Sequence, residues 1–150
     1  MAIQMDLKKI SLIRIEGAKI LLDKGDYQGS AYMMGLALEC ALKATVCKTL
    51  RIPTYPEDYN ADKKVPDFFM THSFVRLLLV SGLTDIFSAS SNNVKAFDNW
   101  SFFTIQYPGE WVSMRYRLDQ FEQDLTEELY QCLYFDENSI IKVIEYQNRW

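Results

Sequence analysis

The chain lacks the features by which most metal sites and many enzyme active sites are recognised in a sequence. It has one histidine, His72, and its three cysteines form no CxxC pair, so no zinc site of the usual ligand spacing is expected. It contains neither GxxxxGK[ST] nor GxGxxG, and nothing resembles the nucleophile turn of α/β-hydrolases. We therefore expect no metal ion, no cofactor and no glycine-rich phosphate loop.

Long apolar runs and an excess of basic residues are also missing. No stretch of about 18 apolar residues occurs and the N-terminus has no signal-peptide core, so we expect a soluble, cytoplasmic protein with no membrane partner. The net charge of −4 argues against broad nonspecific nucleic-acid binding, but leaves room for a local basic site. The odd cysteine count fits a reducing compartment, and Cys40 and Cys47, seven apart on one helix face, are expected to be core thiols.

Apolar residues, by contrast, are abundant and follow a helical period. They make up 49% of the 150 residues, which is enough to form the core of a single domain spanning 1–150. No alternating apolar run reaches strand length. The sequence predicts an all-α, up-and-down bundle of four to five helices, or six if the C-terminal segment splits.

The positions of these helices follow from apolar spacing and from start and stop signals. Helix one ends near Gly25, with Leu7, Ile10, Ile13, Ile20 and Leu21 as its apolar stripe. The next helices are expected at 27–50, from about 71–73 to Gly82, and from a Thr84 cap to about 103, with a break near 88–93. Between them, 51–71 is a proline-punctuated loop carrying Tyr55, Tyr59 and Asp62-Lys63-Lys64. The last segment splits at 136–139, with Asp136 capping the final helix.

The second helix carries the most unusual surface in the sequence. Its small residues let neighbouring helices approach closely, and its glycines need a packing reason because glycine costs about 1 kcal/mol in a helix. Among apolar neighbours it holds Glu39, which is either the exposed i,i+4 partner of Lys43 or a buried acid that needs a cation. Because its flanking residues are apolar, we expect Glu39 to be buried, with an arginine or a tyrosine hydroxyl from the segment 111–117 as its partner. The small residues are Gly29, Ser30, Gly35, Ala37, Ala41 and Ala44.

That segment, with Trp111, Arg115, Tyr116 and Arg117, is the best candidate for a binding site. Arginine can hold a phosphate bidentately, and tryptophan or tyrosine can stack on a base. Alternatively, one arginine neutralises Glu39 while Trp111 and Tyr116 close the end of the bundle, and from the residues alone we favour this structural role. His72, at the start of the third helix, is in the simplest interpretation one of the capping residues.

Four segments together resemble the HEPN superfamily of small prokaryotic helical domains. They are Gly25–Ala44, His72–Leu78, Asn99–Ser101 and Arg115–Arg117, in matching order and spacing over about residues 5–120. The resemblance implies a bundle of four or five helices and a homodimer. It also implies a toxin–antitoxin or phage-defence context, in which some members pair with a minimal nucleotidyltransferase. The active members are metal-independent endoribonucleases.

The ribonuclease motif of that superfamily, an arginine followed after four to six residues by histidine, is not found in this chain. The candidate positions after Arg115 and Arg117 hold Gln120, Phe121, Glu122, Gln123 and Asp124. We therefore assign no catalytic residue and expect a noncatalytic HEPN-like module that self-associates and binds a protein partner, a nucleotide or RNA. Its expected ligand-binding residues are Arg115, Tyr116, Arg117, Trp111 and His72, with Glu39 as a structural polar residue. The alternative is a metal-independent endoribonuclease with a degenerate site of Arg115, Arg117, His72 and Glu39.

Overall fold

The computed structural model describes residues 3–56, 68–117 and 120–150, and within them the protein is an all-α bundle with no β-strand. The predicted fold class is thereby confirmed. Tyr59 and Asp62-Lys63-Lys64 of the expected loop lie outside the described residues, as does Leu118. The six described α-helices are α1 (Gln4–Asp23), α2 (Tyr27–Leu50), α3 (Phe74–Ser81), α4 (Val94–Ile105), α5 (Gln123–Tyr130) and α6 (Ile140–Tyr146). A 3-10 turn (Leu83–Asp85), a 3-10 helix (Trp111–Tyr116) and a π-helical turn (Gln131–Phe135) complete the described elements.

The long helices α1 and α2 form a hairpin whose small residues allow close contact. The Asp26 carboxylate caps α2 by accepting a hydrogen bond from the Gly29 backbone N–H at 2.9 Å. Across the hairpin, the Ser30 hydroxyl donates to the Ala18 carbonyl at 2.7 Å, and the Ser11 hydroxyl donates to the Ala37 carbonyl at 2.7 Å. The backbones can come this close because serine and alanine occupy the contact. Helix α2 also contacts α3, the 111–116 helix and α5, so it lies at the centre of the bundle.

The buried face of α1 differs from the predicted stripe. Leu7 is buried as expected, but Ile13 and Ile20 are 57% and 60% exposed. The residues that face the core are instead Leu7, Ser11, Ile15, Ala18 and Leu22. The prediction failed because it placed the stripe by large apolar side chains alone, whereas the contact with α2 also puts the small residues Ser11 and Ala18 on the buried face.

Helix α3 begins and ends where the sequence predicts, but α4 does not begin at Thr84. The Ser73 side chain caps α3, and Gly82 ends it in the left-handed conformation, with φ of 75°. Thr84 lies in the short 3-10 turn that follows. The true cap of α4 is Asn93, whose side chain accepts a hydrogen bond from the Ala96 N–H at 3.0 Å. The expected break at 88–93 therefore separates two elements.

The C-terminal segment splits as predicted, although the capping residue is different. Ser139, not Asp136, occupies the N-cap position of α6. The Asp136 side chain instead accepts from the Asn138 N–H at 2.8 Å and so organises the turn before the helix. None of the helices in the described ranges is both long enough and apolar enough to cross a bilayer.

Candidate functional site

A buried carboxylate at the middle of α2 organises the candidate site. Glu39 is only 6% exposed, and Lys43, one helical turn later, is 8% exposed. The Lys43 ammonium lies 3.0 Å from Glu39 Oε1, and His72 Nδ1 lies 3.0 Å from each carboxylate oxygen. A buried charge is stable only when it is paired and hydrogen-bonded, and Glu39 meets both conditions. Its predicted burial is confirmed.

The predicted partner of Glu39 was wrong. We expected an arginine or a tyrosine hydroxyl from the 111–117 segment, but Lys43 and His72 contact the carboxylate instead. Helix geometry explains the first contact, since residues four apart lie on one face. Burial and i,i+4 pairing, which the sequence offered as alternatives, therefore occur together. The Lys43 ammonium also lies over the Tyr55 ring, 4.9 Å from its centroid.

His72 is held at two points. Its imidazole contacts Glu39, and its backbone carbonyl accepts a 2.7 Å hydrogen bond from the Trp111 indole N–H. The capping function that we expected near this position belongs to Ser73. About half of the His72 side chain (52%) remains exposed. In the neutral ring, Nδ1 donates to the carboxylate and Nε2 keeps its lone pair, because a carboxylate can only accept.

The exposed part of His72 opens into a surface groove of about 390 Å³, which we call the His72 groove. One wall consists of residues 70–72, and the other comes from 109–116, including Glu110, Arg115 and Tyr116. The Tyr116 side chain is among the most exposed aromatic groups, at 79%. The Arg115 guanidinium lies over its ring, with Cζ 4.8 Å from the centroid. The groove thus combines an imidazole, a guanidinium and an exposed aromatic ring.

The electrostatics of the groove are mixed. A hydrogen bond with Tyr32, aided by the nearby Tyr116, raises the pKa of Arg115 and keeps the guanidinium charged. Glu110 adds a negative charge on the same wall. Because Lys43 already neutralises Glu39, the available positive charge is that of Arg115, together with His72 when its ring is protonated. An anion in this groove is attracted weakly.

Of the five expected ligand-binding residues, the structure brings three to one groove: His72, Arg115 and Tyr116. Trp111 is completely buried, so its expected stacking on a ligand is wrong for this structure, and its indole packs in the core. Tyr116 does not close the end of the bundle, contrary to the structural alternative. Arg117 follows the 3-10 helix in an extended conformation and does not line the groove.

Sequence reasoning missed two tyrosines that complete the surroundings of the site. Tyr32 reaches Arg115 from α2, and Tyr55 reaches Lys43 from the segment after α2. Tyr32 precedes Glu39 by seven residues, so both lie on one face of α2. This spacing could have indicated the contact between Tyr32 and Arg115. Nothing in the local sequence marks Tyr55, because its contact depends on how the following segment returns over the helix.

Comparison with known proteins does not assign the chain to a family. No family model, no curated protein and no solved structure matches the chain. The candidate site therefore depends on the residues of this chain alone, and the contact of Glu39 with His72 and Lys43 is its best-defined part.

Proposed function

We propose that the protein is a noncatalytic, HEPN-like helical module that binds a phosphate-bearing ligand, RNA or a nucleotide, in the His72 groove. The observation that carries the proposal is the presence of His72, Arg115 and Tyr116 on the walls of one groove. Arginine and a protonated imidazole both donate hydrogen bonds to phosphate oxygens. An exposed tyrosine offers a stacking surface to any base.

The cellular context of this proposal comes from the HEPN resemblance. It supports a homodimer, a nucleotidyltransferase or other protein partner, and a role in a toxin–antitoxin or phage-defence system. The cysteines are consistent with a cytoplasmic location, since the buried Cys47 and Cys132 are thiols and not disulfides. Sedimentation at micromolar concentration tests self-association, for which a species of twice 17.5 kDa is expected.

Binding is tested with fluorescein-labelled oligouridylate, followed by anisotropy at low and moderate salt. We expect weak, salt-sensitive binding that is lost in His72→Ala and Arg115→Ala. Arg14→Ala, which removes an exposed arginine on α1, is the matched control and should bind like wild type. Equal loss in all three variants would show that binding follows net charge rather than the groove.

Glu110 provides a test in the opposite direction. Glu110→Gln removes the carboxylate from the groove wall while keeping the side-chain size, so it should strengthen binding by about two- to fivefold, as expected for one exposed charge pair. Because this variant gains affinity, misfolding cannot produce the expected result. Unchanged or weaker binding would place the phosphate elsewhere.

A second candidate function, metal-independent RNA cleavage, is favoured by the contact between His72 and Glu39. A carboxylate on Nδ1 fixes the tautomer in which Nε2 can take a proton, and a positioned base contributes about 10²–10⁴ in rate. The 2′-oxygen would attack phosphorus as its proton passes to Nε2, and the P–O5′ bond would break to leave a 2′,3′-cyclic phosphate, with the departing 5′-oxygen taking a proton from water. Arg115 would stabilise the charge on the phosphate. Labelled RNA incubated with chelator tests this. Cleavage by wild type that is abolished in both His72→Ala and Arg115→Ala would replace the noncatalytic proposal.

A further inference from the structure

Trp111 connects the two walls of the His72 groove with α3. Its indole N–H donates to the His72 carbonyl at 2.7 Å, and its ring stacks on Phe74, two residues further along, with centroids 5.3 Å apart and planes at 23°. Trp111 also begins the 3-10 helix that carries Arg115 and Tyr116. It therefore contacts one wall of the groove from behind, while belonging to the 3-10 helix that supplies the other.

The indole packs so closely against α2 that only glycine fits at the contact. A Cβ atom built on Gly35 would lie 2.6 Å from the Trp111 ring, closer than real Cβ contacts. Glycine at this position thus admits the indole, which explains one of the helix glycines that the sequence left without a reason. Glu39 follows Gly35 by four residues, on the same face of α2. One face of α2 therefore fixes both the tryptophan that holds the His72 backbone and the carboxylate that holds its ring.

We infer that Trp111, seated on Gly35, is a positioning residue that sets the place of the His72 imidazole relative to Arg115. Without the indole N–H, His72 keeps its ring contact with Glu39 but loses the hydrogen bond to its carbonyl, so its backbone can shift and change the distance between the imidazole and the opposite wall. The effect on ligand binding depends on the proposed function, whereas the orientation of His72 does not.

The orientation is measured on the ligand-free protein, by the ¹⁵N and ¹H signals of the His72 ring. The chain has one histidine, so these signals are unambiguous. At a pH where the ring is neutral, wild type should show the tautomer protonated at Nδ1, with that proton protected by Glu39. Trp111→Phe keeps an aromatic ring on Phe74 but removes the N–H, and we expect its His72 ring to average between tautomers. Trp100→Phe is the matched control, because it removes another buried indole, which stacks on Phe87, and should leave His72 unchanged.

If Trp111→Phe does not fold, 3-benzothienyl-alanine at position 111 replaces the indole N–H by sulfur at nearly the same volume. In whichever variant folds, His72 ring signals identical to those of wild type would overturn the inference. Oligouridylate binding is then compared, with a loss of about tenfold or less expected for one hydrogen bond. Absence of oligouridylate binding by wild type would contradict the proposed function alone, since the ring signals decide the positioning role independently.

Discussion

Two opposite faces of α2 have different tasks, although both are buried. The face toward α1 carries Ser30 and Ala37, and its polar contacts are serine hydroxyls bonded to backbone carbonyls. The face toward the 111–116 helix carries Gly35, Glu39 and Lys43, spaced four residues apart, and holds a charged cluster. Small neutral groups allow the two helices to pack closely, whereas buried charges must be paired and hydrogen-bonded, as Glu39 is by Lys43 and His72. Stability therefore depends on both faces, but it is the second that contacts His72, which lines the His72 groove.

The largest expected effect on stability is a substitution on the charged face of α2, compared with one at an exposed position. Glu39→Ala leaves the buried Lys43 ammonium without its carboxylate, so the free energy of unfolding should fall by about 3–5 kcal/mol. Glu16→Ala, at an exposed position on α1, should change it by about 0.5 kcal/mol or less. Urea denaturation of both variants checks this. A loss in Glu39→Ala as small as that of the control would mean that the carboxylate faces solvent.

The next effect compares two helix glycines, whose replacement by alanine should change the stability in opposite directions. Gly35→Ala should destabilise the protein by about 1–3 kcal/mol, because the added methyl group meets the buried Trp111 ring. At Gly17 on α1 nothing lies within 4 Å of an added Cβ, so Gly17→Ala should stabilise by about 0.5–1 kcal/mol. Thermal melts of the two variants measure the contrast. Two shifts of the same sign would contradict the close seating of the indole.

The face toward α1 should respond more mildly. Ser30→Ala removes a hydroxyl that bonds the Ala18 carbonyl, without adding volume, and should cost about 1 kcal/mol. Binding of oligouridylate should be unchanged in this variant, because the substitution lies on the face away from the groove. Reduced affinity in a stably folded Ser30→Ala protein would show that the two faces are not independent.

The smallest effect at neutral pH concerns the core thiols. Burial raises the pKa of Cys47 and of Cys132 to about 11, above the value of about 8.5 for an unfolded thiol. A raised pKa favours the neutral thiol of the folded state, so its contribution to stability is complete below about pH 8.5 and is lost as the pH rises toward 11. Denaturation between pH 8 and 11 should show this decline, and it should be reduced in the Cys47→Ala, Cys132→Ala double variant. An equally steep decline without the thiols would assign it to other groups, such as Tyr107, whose pKa burial also raises.

The sequence was sufficient for elements whose ends are marked locally. Asp26 caps α2 and Gly82 ends α3, and both ends were predicted because the deciding residue lies beside the helix. The buried face of α1 was mispredicted because the partner helix, not side-chain size, selects it. The α4 cap was misassigned because Thr84 and Asn93 are both good capping residues. Only the path of the chain between them determines which one begins the helix.

The candidate site was predictable to a similar degree. Arg115, Tyr116 and His72 were identified from residue type, and burial of Glu39 was identified from its neighbours. The contact between Glu39 and His72 spans 33 positions and joins α2 to the segment before α3, so local spacing contains no signal for it. Local spacing also contains no signal for the burial of Trp111. Its aromatic ring suggested stacking on a ligand, but its packing against Gly35 buries it.

The most direct test of the His72 groove as the functional site is an amide chemical-shift map during titration with oligouridylate. Shifts should cluster at residues 70–72 and 109–116, include the His72 ring, and disappear in Arg115→Ala. Residues on the exposed side of α1, such as Ile13 and Ile20, should not respond. Shifts that concentrate on α1, or that persist unchanged in Arg115→Ala, would contradict the assignment of function to this groove.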